Sequence, residues 1–173
     1  ICPFHGFRIG IDTTVEHGLR VREHETLELG GLLFVRLGEG ADNGFSATLH
    51  MLAETRSLVP GFTMRLDAAA DMIIENAFDQ AHFRPVHGIG LESSFRMMPS
   101  ERGELAVEGS FDMPPSPWQR GREDGRPEAV PFRARAFSPG LIVSDLGGAY
   151  PYTVITAATP VPDGGAIIRL SLA

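Results

Sequence analysis

The chain has 173 residues, of which 43% are hydrophobic, enough for a buried core of one domain or slightly more. A formal net charge of −7 leaves no basic stripe for phosphates, so no nucleic-acid partner is expected. No apolar run reaches the ~18 residues of a membrane span. The single cysteine allows no internal disulfide and no secretory leader is visible, so a cytoplasmic protein is expected.

Residues 1–38 read as short strands punctuated by glycine. Gly30-Gly31 precedes the apolar run 32–35, which suits a buried strand. The glycine-rich stretch 38–44 reads as a linker. Residues 45–58 carry Leu49, Leu52 and Arg56 at helical spacing, with Pro60-Gly61 expected to end that helix. A strand is predicted over 62–66. Asp67 is then a plausible N-cap for a helix over 68–83, which holds neither glycine nor proline; Pro85 is expected to end it, because proline disfavours helical geometry at Arg84. Strands are predicted at 91–98, 105–113, 132–137, 141–144, 152–158 and 166–172, with 114–131, rich in proline and charge, as a long exposed loop. No internal repeat is visible. Strands, then a helix, then an antiparallel meander make the fold class α+β. The chain starts at Ile1 and finishes on an apolar-rich run with no turn behind it, so both ends are expected to be cuts through structure.

Two groups of residues carry chemistry. The first is Cys2-Pro3-Phe4-His5. Cys-x-x-His is compact enough for both side chains to bind one metal centre, and a [2Fe–2S] centre in which two histidines replace two cysteines takes one Cys and one His from each of two loops. Taken alone, a cysteine near a histidine is more often chance. The second is Glu75-Asn76-x-x-Asp79-x-x-His82-Phe83-x-x-Val86-His87. On one helix Asn76, Asp79 and His82 would share a face, being three apart. His87, five beyond His82, would swing away on an unbroken helix. A break at Pro85 would let the chain return the second imidazole to the first. Two imidazoles are part of an octahedral iron site with open positions, and one carboxylate completes the 2-His-1-carboxylate triad used for O₂ chemistry. The bland alternative is a pair of histidines that cap a helix end and hydrogen-bond locally.

The full second string resembles the mononuclear-iron motif of Rieske oxygenase α subunits, and Cys2-Pro3-Phe4-His5-Gly6-Phe7 resembles the second cluster-binding motif of Rieske proteins. Both stand in the family order. Phe34-Val35, Ile74-Glu75-Asn76 and Ala81-His82-Phe83 are nearest in wording to the ketosteroid-hydroxylase and cholesterol-desaturase branch. The resemblance covers the whole chain. It implies the C-terminal part of a small all-β Rieske domain over 1–38, then the N-terminal part of a helix-grip catalytic domain over 39–173, a curved antiparallel sheet around a helix. It implies that Cys2 and His5 bind the [2Fe–2S] cluster and that His82 and His87 bind Fe(II). Asp79 would bridge electron transfer between subunits, with Asn76 beside the iron. It further implies a reductase or ferredoxin drawing on NAD(P)H, a hydrophobic aromatic or steroid-like substrate, O₂, and a homotrimer. The first cluster motif and the third iron ligand have no counterpart; Asp112, Asp124, Asp145 and Asp163 are wrongly placed for it. The isolated chain is therefore expected to be inactive.

His17, His24 and His50 have no ligand spacing with a partner and read as ordinary histidines. Trp118 reads equally as a cover for a substrate mouth or a loop anchor. The arginine-rich run 120–126 reads as a solvated loop, and 38–44 lacks a phosphate-loop lysine. The competing functions are a non-catalytic helix-grip module for an apolar ligand and a zinc hydrolase using Asp79, His82 and His87, the latter without a general-base glutamate at a familiar zinc spacing.

Overall fold

The computed structural model describes residues 23–38, 40, 42–100, 102–113 and 128–173, and for residues 90–94 it describes the backbone. The chain forms two compact units, Ile1–Glu28 with Leu33–Gly40, and Leu29–Leu32 with Ala41–Ala173. The expectations for Cys2, His5, His17, Trp118 and the 120–126 run lie outside the described residues.

Strands β1 (Thr26–Leu29) and β2 (Leu32–Val35) form a hairpin. Its turn residues Gly30 and Gly31 have φ of 58° and 75°. Positive φ at both central positions is what a twisted two-residue hairpin demands, and only glycine adopts it freely. Within the first unit Arg36 pairs with Glu25 at 3.1 Å, and its carbonyl lies 3.1 Å from the His24 Nδ1.

The second unit is built on a seven-stranded antiparallel sheet in the order β3-β9-β8-β7-β6-β5-β4. Its strands are β3 (Val59–Leu66), β4 (Gly90–Met98), β5 (Leu105–Met113), β6 (Glu128–Ser138), β7 (Leu141–Leu146), β8 (Tyr152–Pro160) and β9 (Ala166–Leu172). Strands β4 to β9 follow one another as the expected meander, and β3 closes the far edge against β9. Pro60-Gly61 therefore lies inside a strand. A prolyl residue donates no ladder bond, which an edge strand tolerates, and the β3–β9 register shifts between Pro60 and Thr63. Pro131 likewise falls inside β6, which begins at Glu128. Mostly antiparallel sheet with few helices meets the α+β expectation.

Helix α1 (Phe45–Thr55) stops where Arg56 turns extended, with φ −144° and ψ 164°. The predicted helix over 68–83 is instead two: α2 (Ala70–Glu75) and α3 (Gln80–His87). Ala69, not Asp67, occupies the N-cap of α2 and makes no side-chain cap bond. The break has a local cause. The Asp79 carboxylate accepts from the Ala81 N–H at 2.9 Å, so a short acidic side chain competes with the backbone and starts a new helix. Pro85, expected to end the helix, lies inside α3. There it forfeits one hydrogen bond, to the Ala81 carbonyl, in the middle of a short helix. Gly88 ends the helix instead, at φ 67°, with its N–H on the Arg84 carbonyl at 3.0 Å.

The sheet has a different chemistry on each face, because side chains alternate along a strand. On β6, Phe132 and Ala134 are buried in a core shared with Ala70 and Ile74 of α2 and Phe83 of α3. Arg133, Arg135 and Phe137 occupy the opposite face. There α1 is tied down: Phe45 packs on Phe137 with ring centroids 5.3 Å apart, Arg135 donates to Thr48 Oγ1 at 3.3 Å, and Arg56, just beyond the helix, donates to Thr153 Oγ1 at 3.0 Å.

Candidate functional site

Helix α3 is held by an aromatic cluster. Phe83 is buried and meets Phe111 at 4.7 Å, Phe95 at 5.6 Å and Phe132 at 6.1 Å between ring centroids. Phe111 and Phe132, on neighbouring strands, are 4.7 Å apart. Tilted and edge-on rings at these distances combine large apolar burial with favourable quadrupole geometry. Phe95 fits because Gly109 has no side chain; a Cβ there would come within 2.6 Å of the Phe95 ring.

His82 and His87 stand on this base. Their ring centroids are 5.2 Å apart at 76°, and His82 lies 4.2 Å from Phe83. The imidazoles thus come together without the helix break expected at Pro85 from the five-residue spacing. About 140° separates such positions around a helix. His82 in the first turn folds back onto its N-terminus, and His87, the last residue, leans toward that same end as helical side chains do.

The His82 Nδ1 lies 2.6 Å from the backbone carbonyl of Asp79. A carbonyl only accepts, so Nδ1 carries the proton and Nε2 presents its lone pair, the tautomer needed to bind a metal through Nε2. His82 is half-buried and His87 exposed, and the His87 ring makes no hydrogen bond among the described residues. Asp79 is exposed and its carboxylate caps α3. Asn76 is exposed at the C-terminal end of α2, with no hydrogen bond to either imidazole among the described residues. Asn76 and Asp79 therefore precede the pair in sequence, but among the described residues the structure ties only the Asp79 backbone to it.

The donor set suits iron in part. Two imidazoles supply two of the three protein ligands of a facial triad. Among the described residues no cluster of three His, Cys, Asp or Glu side chains is close enough to hold a metal ion.

Sequence reasoning passed over a polar network on the opposite face. Arg135 donates to Asp145 Oδ2 at 3.2 Å, Thr153 donates to Asp145 Oδ1 at 2.7 Å, and Arg56 also reaches the Ala173 carbonyl at 3.4 Å. The signal was the alternation Phe132-Arg-Ala-Arg-Ala-Phe, which sets Arg133 and Arg135 on one face of a strand whose other face is core.

No protein-family model matches the chain, and no curated protein does. Solved structures do. The chain is similar to dicamba monooxygenase bound to 3,6-dichlorosalicylic acid, with a TM-score of 0.62 and 14% identity over 99% of this chain and 59% of that one. It is similar to a quaternary ammonium Rieske monooxygenase described for carnitine oxidation and inter-subunit electron transfer, with a TM-score of 0.56, 13% identity, and coverage of 99% and 52%. It is also similar to the oxygenase of carbazole 1,9a-dioxygenase in its reduced complex with ferredoxin, with a TM-score of 0.55, 13% identity, and coverage of 89% and 47%. The chain spans about half the length of these structures. Among the described residues no helix is long and apolar enough to cross a membrane. The fold of this chain is that of part of a Rieske oxygenase.

Proposed function

We propose that this chain is the middle portion of a Rieske-type oxygenase, joining the C-terminal part of the cluster domain (1–38) to the N-terminal part of the mononuclear-iron domain (39–173). The observation that carries this reading is the His82–His87 pair, two imidazoles 5.2 Å apart on one short capped helix, within a fold shared with oxygenases of this type. His82 and His87 serve as two ligands of Fe(II), and Cys2 and His5 as half of the [2Fe–2S] ligand set. Asp79 carries electrons between the centres of neighbouring subunits, with Asn76 beside the iron, in a homotrimer fed by a reductase or ferredoxin.

The iron, when bound, supplies O₂-dependent oxidation of a substrate. The chain's own residues orient and exclude. The Asp79 carbonyl holds the proton on His82 Nδ1, which keeps Nε2 free. Phe83, Phe95, Phe111 and Phe132 build an apolar wall behind the pair that keeps water from that side. The motif wording, nearest the ketosteroid-hydroxylase and cholesterol-desaturase branch, supports a hydrophobic substrate, aromatic or steroid-like, hydroxylated or desaturated.

The test is to express the coding sequence extended in both directions and to measure iron, acid-labile sulfide, the reduced-cluster EPR signal and substrate-dependent oxygen uptake. Both metal centres and oxygen uptake are expected in the extended protein, and no oxygen uptake from the 173-residue chain alone. An extended protein that lacks both centres yet binds an apolar ligand tightly would make this a non-catalytic binding module.

A further inference from the structure

On the α1 side of the sheet, facing away from His82 and His87, lies an open, solvent-facing cavity of about 460 Å³. Its charged lining is Arg56, Arg133, Glu108 and Asp145, with the rings of Pro131 and Pro151 as apolar walls. Cross-strand register explains the charge row: Glu108 is opposite Arg133, and Arg133 is opposite Asp145.

The lining itself holds two arginines and two carboxylates, but the arginines that border it outnumber its acids, although the whole chain is at −7. Both oxygens of Asp145 are taken, one by Arg135 and one by Thr153. Glu108 is shared at long range between Arg96 at 3.5 Å and Arg133 at 3.7 Å. Counting Arg96 and Arg135, which border the lining, four guanidinium groups meet two side-chain carboxylates among the described residues. Arg133 makes no hydrogen bond among the described residues beyond that distant ion pair. Arg56 donates to the Thr153 hydroxyl and the Ala173 carbonyl, and to no side-chain carboxylate. Guanidinium groups with unspent N–H donors at a concave surface match the planar fork of a carboxylate, and a carboxylate would also offset the charge imbalance.

We propose that this cavity binds a small organic carboxylate, anchored by Arg133 and Arg56. The site is separate from the histidine pair and does not depend on the proposed oxygenase role.

The experiment titrates the 173-residue chain with succinate, followed by ¹H–¹⁵N NMR and calorimetry, with succinamide as the uncharged control. Succinate is expected to saturate shifts around β5, β6 and β7, and succinamide to leave them unmoved. Arg133→Gln removes a half-exposed side chain and leaves the core intact; it is expected to weaken succinate binding about tenfold, the loss of one hydrogen bond to a charged group. Arg56→Gln is expected to do the same, and His82→Ala to bind succinate as the parent chain does. Shifts that fail to saturate by ~50 mM, an affinity too weak to name a site, would overturn the proposal. So would equal binding of succinamide, unchanged affinity in Arg133→Gln, or loss of binding in His82→Ala.

Discussion

The His82 ring donates from Nδ1 to the backbone carbonyl of Asp79 at 2.6 Å, while the Asp79 carboxylate accepts from the Ala81 N–H. One residue thus sets the histidine tautomer with its main chain and starts the helix with its side chain. The two roles are separable, because a substitution at Asp79 removes the carboxylate and keeps the carbonyl.

Asp79→Ala is accordingly expected to cost about 1 kcal/mol of stability through the lost N-cap, a fall in Tm of roughly 2–4 °C for a domain of this size. Asp79→Asn keeps an acceptor and is expected to stay close to the parent Tm. Divalent-metal affinity should be the same in both variants. In the extended oxygenase Asp79→Ala should retain iron and lose turnover. A drop in metal affinity as large as that of a histidine deletion would show the carboxylate itself to be a ligand.

His82→Ala and His87→Ala are each expected to reduce Co²⁺ or anaerobic Fe²⁺ binding by the isolated chain at least tenfold, about 1.4 kcal/mol, measured by calorimetry. His50→Ala, on the exposed side of α1, is the control and should change nothing. Equal affinity across all three variants would remove the histidine pair as a metal site.

The aromatic cluster gives a packing prediction. Phe111 is 2% exposed and touches Phe83, Phe95 and Phe132. Phe111→Ala should therefore destabilise by about 3–5 kcal/mol. Gly109→Ala pushes a methyl to within 2.6 Å of the Phe95 ring, and overpacking of this kind costs about 1–3 kcal/mol. Urea unfolding measures both, and the midpoint should shift with little change in slope. Because α3 rests on the cluster, Gly109→Ala should also weaken metal binding, which distant surface substitutions should leave alone.

Acid should loosen the β3 edge of the sheet. Arg65 on β3 pairs with Asp163 in the turn between β8 and β9. The hydrogen bond from Arg65 holds the Asp163 carboxyl below its usual value. A carboxyl with a depressed folded pKa contributes stability above its unfolded pKa, and that contribution disappears as pH falls through the folded value. Asp163→Asn should therefore lower Tm slightly near pH ~7 and make no difference near pH ~2, below the carboxylate range. Both side chains are more than half exposed, so added salt should shrink the neutral-pH difference. A difference that persists in acid would mean the pair acts by packing.

The strand meander was legible from residue order because its strands are short apolar-rich runs between turn signals and the longest, β6, alternates, and both signals are local. Arg133 and Arg135 between Phe132, Ala134 and Phe137 show both faces at once. Helix boundaries were read less well, and the reasons are specific. Proline and aspartate were weighed by their average habits. Pro85 costs only one hydrogen bond in α3 and remains inside it, whereas Asp79 finds the Ala81 N–H and divides a run that no glycine or proline interrupts. Pro60 sits in an edge strand, which tolerates the absent N–H, and Pro131 lies one residue before the β6–β7 pairing begins.

By itself the sequence determined the fold class, the six-strand meander, the two candidate motifs and the resemblance they carry, since these depend on residue type and spacing along the chain. Only the tertiary structure decided how His82 and His87 meet. Their approach comes from the position of each at opposite ends of one short helix and from the Phe83 cluster beneath it, whose rings arrive from β4, β5 and β6. It likewise decided that Arg56, Arg133, Glu108 and Asp145 share a cavity. Contacts between residues far apart in sequence are set by strand register and packing, and no local pattern encodes them.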